Sequence, residues 1–293
     1  MRKFYLVTTD HLEDGLWFRE ESDFAVGMNY VAIQAVLSPL ILILAFILMS
    51  NHLHFVLYGT YEEVRAFIDA LKSRYGQYFF RKYGVRELLR RNEVDIREIS
   101  AEDPEGLERA VAYVQMNCVA AGVCSHPSQY PWGTGSVYFS GDRSTGRGVE
   151  VGSMSRRALS RTLHSDFVDL PGKWLVSPAG FILPESYVGV STVERIFRTP
   201  GRLNYFLNTS SKARKRLETG EDRVPAFKDQ VISHALPDLC QSLFQKAGFK
   251  DLSASEQAET LRQLRYRFSS NVNQVARVCG LSYAEAAKML DGV

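Results

Sequence analysis

The sequence predicts an α+β fold: an antiparallel sheet with helices on one face in a ferredoxin-like layout, followed by a mainly helical C-terminal region. Three observations predict it. Over residues 1–140, short β-branched and aromatic runs alternate with longer helical patterns in the order β-α-β-β-α-β-α. From about residue 225 the pattern is helical to the end. Between these lies a Gly/Ser/Arg-rich stretch, 133–153, that reads as a loop or boundary. The expected organisation is therefore a domain at 1–140, a basic, irregular connecting region at 141–224, and a helical region at 225–293 with a helix-turn-helix pattern. The 293 residues comfortably accommodate two domains.

The elements follow in order. Residues 3–9, KFYLVTT, are a strand by β-propensity. Residues 21–36 read as an amphipathic helix. Ser38-Pro39 marks a turn, and 40–49 a fully buried central strand. Residues 31–50 carry no charge and are long enough to span a bilayer, but Pro39 interrupts them and no Lys or Arg anchors their ends, which argues against a membrane span. Ser50-Asn51 suits a hairpin turn into a strand at 52–58. A long helix covers 61–82 and a half-exposed strand 94–100. A helix covers 104–121, with Asp103 as its cap, Pro104 in its first turn and Gly122 as its stop. Near the C-terminus, a turn at Cys279-Gly280 separates two helices, the second opened by a Ser282/Glu285 capping box.

Composition narrows the class. Hydrophobic residues make up 45% and charged residues 23%, which excludes a disordered or fibrous chain. Four cysteines, none at zinc-finger spacing, suit a reducing, cytoplasmic setting rather than a disulfide scaffold. The N-terminus meets Asp10 before any long apolar run and does not read as a signal peptide. The net charge of +2 is uneven: residues 1–140 carry 13 basic and 17 acidic residues, whereas 141–216 carry 13 and 6. The clusters Arg156-Arg157 and 212–216 in that basic segment suit either phosphate contacts or a solvated linker.

Two motifs carry chemistry. In His52-Leu53-His54, strand alternation sends both imidazoles to one face and Leu53 to the other, a spacing that suits either a shared metal ion, ordinarily zinc or another transition metal for two imidazoles, or a plain pair of surface or core histidines. In AYVQMNCVAAG, Leu107, Val111, Val114 and Cys118 form an apolar stripe, and Tyr113 lies roughly 130° away from it on an ideal helix. Asn117 sits one turn after Tyr113. The 61–82 helix adds Lys72, Arg74, Arg81 and Lys82 among Tyr75, Tyr78 and Phe79. That interleaving suits single-stranded nucleic acid, and equally suits a helix with core rings and solvated charges. Cys118, Cys124 and His126 resemble a zinc set only on paper, because Cys118 belongs to the apolar stripe.

LMSNHLHFVLYG (48–59), ALKSRYGQYFFRKYG (70–84), AYVQMNCVAAGV (112–123) and SQYPWGTGSVY (128–138) together resemble the single-tyrosine HUH transposases, in the branch associated with repeated extragenic palindromes. The resemblance covers about residues 1–140. Ser50 stands where the family pattern has Pro before Asn51, and Cys118 where it has Pro after Asn117. The resemblance implies that His52 and His54 hold a divalent metal, magnesium or manganese. It implies that Tyr113 attacks a phosphodiester of single-stranded or hairpin DNA, becoming linked to the 5′-phosphate, and that Asn117 is a further ligand. It leaves a homodimer open. The alternatives are a catalytically silent DNA-binding protein of the same fold, and a metal hydrolase combining the histidine pair with His126, His164 or His234.

Overall fold

A computed structural model describes residues 1–10, 16–85, 92–140, 148–210, 227–268, 270 and 272–291; the basic run at 212–216 lies outside the described residues. The chain is α+β. Strands β1 (Lys3–Thr9), β2 (Leu42–Leu48), β3 (Leu53–Gly59) and β4 (Val94–Glu98) form one antiparallel sheet in the order β2-β3-β1-β4. Helices α1 (Glu21–Leu37) and α2 (Tyr61–Tyr83) connect them. The N-cap of α2 is a reciprocal box between Thr60 and Glu63, and its C-cap is Gly84 at φ 72°, a left-handed conformation that suits glycine.

The expectation of helices on one face is corrected. Phe55 of β3 packs edge-on against Phe67 of α2, whereas its neighbour His54 meets Tyr113 of α3 (Gly106–Gln115). Adjacent strand residues point to opposite faces, so α2 and α3 cover opposite sides of the sheet. Both faces of β2 and β3 are therefore buried, which is why 41–49 reads as a continuous apolar run and 53–57 is apolar but for His54.

Two further expectations change. The apolar strand β2 lies at the sheet edge, not at its centre. It is buried because residues 130–138 and 189 cover that edge. Leu48 N donates to Trp132 O at 2.8 Å, Thr134 N to Phe46 O at 3.0 Å and Gly189 N to Ile43 O at 2.8 Å. Gly133 is required there, since a Cβ would stand 2.6 Å from Phe46 O. Covering removes the exposed edge that invites intermolecular pairing. Helix α1, in turn, is buried on nearly every side rather than amphipathic. The segment 148–210 closes its outer side: Asn29 Nδ2 donates to Thr162 O and Gly180 O, its Oδ1 accepts from Ile182 N, and Tyr30 Oη donates to His164 O at 2.8 Å. One apolar core thus runs from Tyr5 to Leu207 and includes α5 (Arg156–Leu163), α6 (Val190–Phe197) and α7 (Pro200–Thr209).

The last helix of the sheet region departs from the expected 104–121. It begins at Gly106 and is interrupted at Met116, with a short turn α4 (Asn117–Ala120) following. Asn117 Nδ2 donates to Tyr113 O at 2.8 Å and Val114 O at 3.3 Å, competing with the backbone ladder. Gly122 at φ 69° ends the turn as expected.

Helices α8 (Asp229–Phe244), α9 (Ala254–Phe268), α10 (Val272–Cys279) and α11 (Tyr283–Asp291) share a second core around Leu261, Leu264 and Val275. The predicted capping box holds, with Ser282 N on Glu285 Oε2 at 2.8 Å and Glu285 N on Ser282 Oγ at 3.2 Å. Buried Asp229 joins the two cores. It accepts from Ser50 Oγ at 2.6 Å, from Gln274 Nε2 at 3.0 Å and from Arg277 Nε at 3.0 Å. Among the described residues, no helix is long and apolar enough to cross a membrane.

Burial pushes the Asp229 carboxyl up, but the Arg277 guanidinium and the hydrogen bonds outweigh it and leave the group below its ordinary value. A depressed folded value stabilises the protein fully above the unfolded value, about 4, and that stabilisation is lost as pH falls through the folded value. Asp229→Asn is expected to cost about 3 kcal/mol at neutral pH. Its stability should also decline less steeply than that of the wild type on acidification. Urea midpoints at neutral pH and at about pH 3.5 check both expectations.

Candidate active site

The hairpin between β2 and β3 builds one half of the site. Met49 N donates to His52 O at 2.9 Å, leaving Ser50 and Asn51 as the two loop residues, as expected from sequence. Ser50 O accepts from Trp17 N at 2.7 Å and Phe18 N at 3.1 Å, which pins the turn. His52 thus stands at the mouth of β3 and His54 in its second position, both buried, at 5% and 1% exposure. Leu53 points to the opposite face and is also buried.

The imidazoles are 4.7 Å apart between ring centroids, at 87° to each other. Each is held through Nδ1. His52 Nδ1 lies 2.8 Å from Asn51 Oδ1 and His54 Nδ1 lies 3.0 Å from Thr8 Oγ1, across the β1–β3 pair in which Thr8 faces His54. A carboxamide oxygen accepts, so His52 Nδ1 carries the proton and Nε2 the lone pair. Thr8 Oγ1 can impose the same tautomer on His54.

Tyr113 supplies the other half. Its ring stands edge-on to His54 with centroids 5.4 Å apart. Tyr113 packs only partly against the core, whereas Val111, Val114 and Cys118 are fully buried. Sequence periodicity therefore placed it correctly, off the apolar stripe. Burial raises the phenol above its ordinary value, opposed by the charge of Arg97 on β4. Asn117 is buried one turn on, its amide nitrogen engaged by the Tyr113 and Val114 carbonyls.

Thr8, Asn51, Asp95 and Arg97 belong to this face and are not singled out by sequence. Thr8 is paired with His54 on one side and with Asp95 on the other, and Arg97 follows two residues on, in a salt bridge with Asp95 at 3.0 Å. The alternation in VDIRE signals their shared face, but only strand order reveals that the face is that of His54.

The four basic residues of α2 do not converge on this site. Lys72 is buried, donates to Asn92 O, and has its ammonium pKa lowered by that burial. Lys82 is spent on Asp23 at 2.7 Å and on Glu20. Tyr75, Tyr78 and Phe79 are core residues. Arg74 and Arg81 line a depression on the α2 side of the sheet. His126 is exposed and accepts from Ser128 N, and His234 is exposed on α8. Among the described residues, no group of three or more His, Cys, Asp or Glu side chains is placed to hold a metal ion.

Three comparisons, with protein-family models, with curated proteins and with solved structures, found no match to this chain.

The ring geometry makes its own prediction. Tyr113→Phe keeps the aromatic face beside His54 and should leave stability within about 1 kcal/mol of wild type. Tyr113→Leu removes the ring. The His54 imidazole proton resonances should therefore shift markedly in Tyr113→Leu and little in Tyr113→Phe, as read by NMR on the purified variants.

Proposed function

We propose that the chain is a metal-dependent nuclease and strand transferase that cuts single-stranded, hairpin-forming DNA through Tyr113, as the HUH transposases it resembles do. The observation that carries this reading is the convergence of His52, His54 and Tyr113, from two separate elements, on one face of the sheet. The strand order β2-β3-β1-β4 in a β-α-β-β-α-β sequence is also the order a ferredoxin-like domain has. Four buried cysteines, none of them in a disulfide, fit work in the cytoplasm.

The donor set suits a divalent ion. The two rings share one face with centroids 4.7 Å apart, and the Nδ1 contacts would present Nε2 as the ligating atom. His52 and His54 would hold magnesium or manganese, with Asn117 offering Oδ1 and the DNA supplying further oxygens. When bound, the ion polarises the phosphoryl oxygen and stabilises the charge that develops on it.

The chain's own chemistry is nucleophilic. Tyr113 Oη gives its proton to water and forms a bond to phosphorus while the bond from phosphorus to the 3′-oxygen breaks, and water returns a proton to that oxygen. The 3′-oxygen leaves as a hydroxyl. The phosphotyrosine ester retains the energy of the broken bond, so a 3′-hydroxyl attacking the same phosphorus rejoins DNA without a nucleotide cofactor. The Arg97 charge opposes the rise that burial gives the phenol, and so acts toward the phenolate.

Incubation of the wild type with hairpin oligonucleotides and Mn²⁺ or Mg²⁺ should give a denaturation-resistant adduct, which peptide mapping places on Tyr113 at the 5′-phosphate side. Tyr113→Phe should bind the same DNA within about twofold yet form no adduct, since its ring has no attacking atom. His52→Ala and His54→Ala should abolish cleavage. Thr8→Val, which removes the His54 support, should weaken metal binding by roughly tenfold. An adduct on another tyrosine would overturn the assignment, and the absence of any adduct would leave a DNA-binding protein without catalysis.

A further inference from the structure

The side of the sheet away from Tyr113 carries a depression of about 860 Å³ between α2 and α5. Arg74 and Arg81 enter it from α2, Arg161 and His164 from the end of α5, and Tyr30 of α1 lies in its wall. The volume is that of a small-molecule site. Its charge is distinctive. Among the described residues, no carboxylate forms a salt bridge with Arg74, Arg81 or Arg161, whereas Lys82 at the rim is neutralised by Asp23 and Glu20. Asp166 is the acidic lining residue.

Three details show an arranged site rather than a scatter of surface arginines. Arg74 lies 5.9 Å from the Tyr30 ring centroid, and its Nε is buried with no hydrogen-bond partner among the described residues. The Tyr30 hydroxyl, within reach of the Arg81 side chain, donates to His164 O at 2.8 Å, tying α1 to the end of α5. His164 caps α5 in the left-handed region at φ 49°, ψ 40°, where glycine or asparagine is the ordinary choice. Its imidazole is thereby held against Tyr78, with ring centroids 5.8 Å apart.

We propose that this basin is a second site, on the opposite side of the sheet from Tyr113, that binds a phosphate group of a nucleotide unit between Arg74, Arg81 and Arg161, with His164 as a further donor. Guanidinium forks match phosphate oxygens in bidentate geometry, and a partly enclosed wall limits screening. Two sources offer that chemistry: a phosphodiester within a polynucleotide strand, and a free nucleotide. The inference stands apart from the nicking reading, because the basin shares no residue with His52, His54 or Tyr113.

The test uses the full chain. Binding of a labelled single-stranded oligonucleotide and of dAMP is measured by anisotropy and calorimetry for the wild type, Arg81→Gln/Arg161→Gln, Arg74→Gln, and a control, Arg195→Gln, at an exposed position on α6. For a strand ligand, the double variant should weaken oligonucleotide binding about tenfold or more and flatten the salt slope by about 0.7 per lost phosphate contact, with the control unchanged. For a free nucleotide, saturable dAMP binding should be present in the wild type and lost in the variants. Wild-type chain titrated with either ligand should shift the His164 imidazole resonances, which reads the site without any substitution. Tyr113→Phe should retain all of this binding, so that failure of the nicking reading and failure of the basin are told apart. Unchanged affinities in the folded variants together with an unmoved His164 would overturn the proposal.

Discussion

The turn at Ser50 and Asn51 is the constraint on which the arrangement depends. It closes the β2–β3 hairpin through Met49 and His52. Its backbone is held by Trp17 and Phe18, and its Ser50 hydroxyl by Asp229 in the C-terminal helices. Side chains alternate along a strand, so a slip of one residue would send His54 into the α2 core and Leu53 toward Tyr113. The register from Leu48↔Leu53 to Leu42↔Tyr58 keeps the two histidines together on the α3 side. Asn51 then contributes twice, as a loop residue and as the acceptor that fixes His52. A proline at position 50 would have no hydroxyl to reach Asp229.

The sheet separates two chemistries. On one face lie two supported imidazoles and a tyrosine. On the other, α1 and α2 are sealed by residues 148–210, which leave a basic basin beside Tyr30. The buried Asp23 shows why basic residues cannot be taken from a helical wheel as a binding surface. It accepts from Arg19 N, Tyr78 Oη, Tyr83 Oη and Lys82 Nζ, absorbing the one lysine whose charge the basin would otherwise carry. Burial and then Asp23 act oppositely on the Lys82 ammonium, and its carboxylate partners leave it raised.

Much of this was legible in the chain itself. Strand boundaries, the Ser50-Asn51 hairpin, the Pro39 break, Gly84, Gly122 and the Ser282/Glu285 box are local signals, and each acts locally. The off-stripe position of Tyr113 follows from helical period. What was not legible depends on contacts between distant residues. An apolar strand reads the same whether it is central or an edge covered by residues 130–138. An apolar helix reads as amphipathic until Asn29 and Tyr30 are seen to bond with residues 162–182. Thr8 is one of many threonines until strand order places it opposite His54. The basin needs α5 against α2, a pairing that no periodicity announces.

The account stands on His52, His54 and Tyr113 forming one site that takes a divalent ion. Paramagnetic broadening by Mn²⁺ tests that most directly, using protein labelled at histidine and tyrosine rings. Substoichiometric Mn²⁺ should broaden the His52, His54 and Tyr113 ring signals first and together, while His126, His164 and His234 stay sharp. Broadening that begins at another histidine, or that spares Tyr113 while reaching His52 and His54, would contradict it.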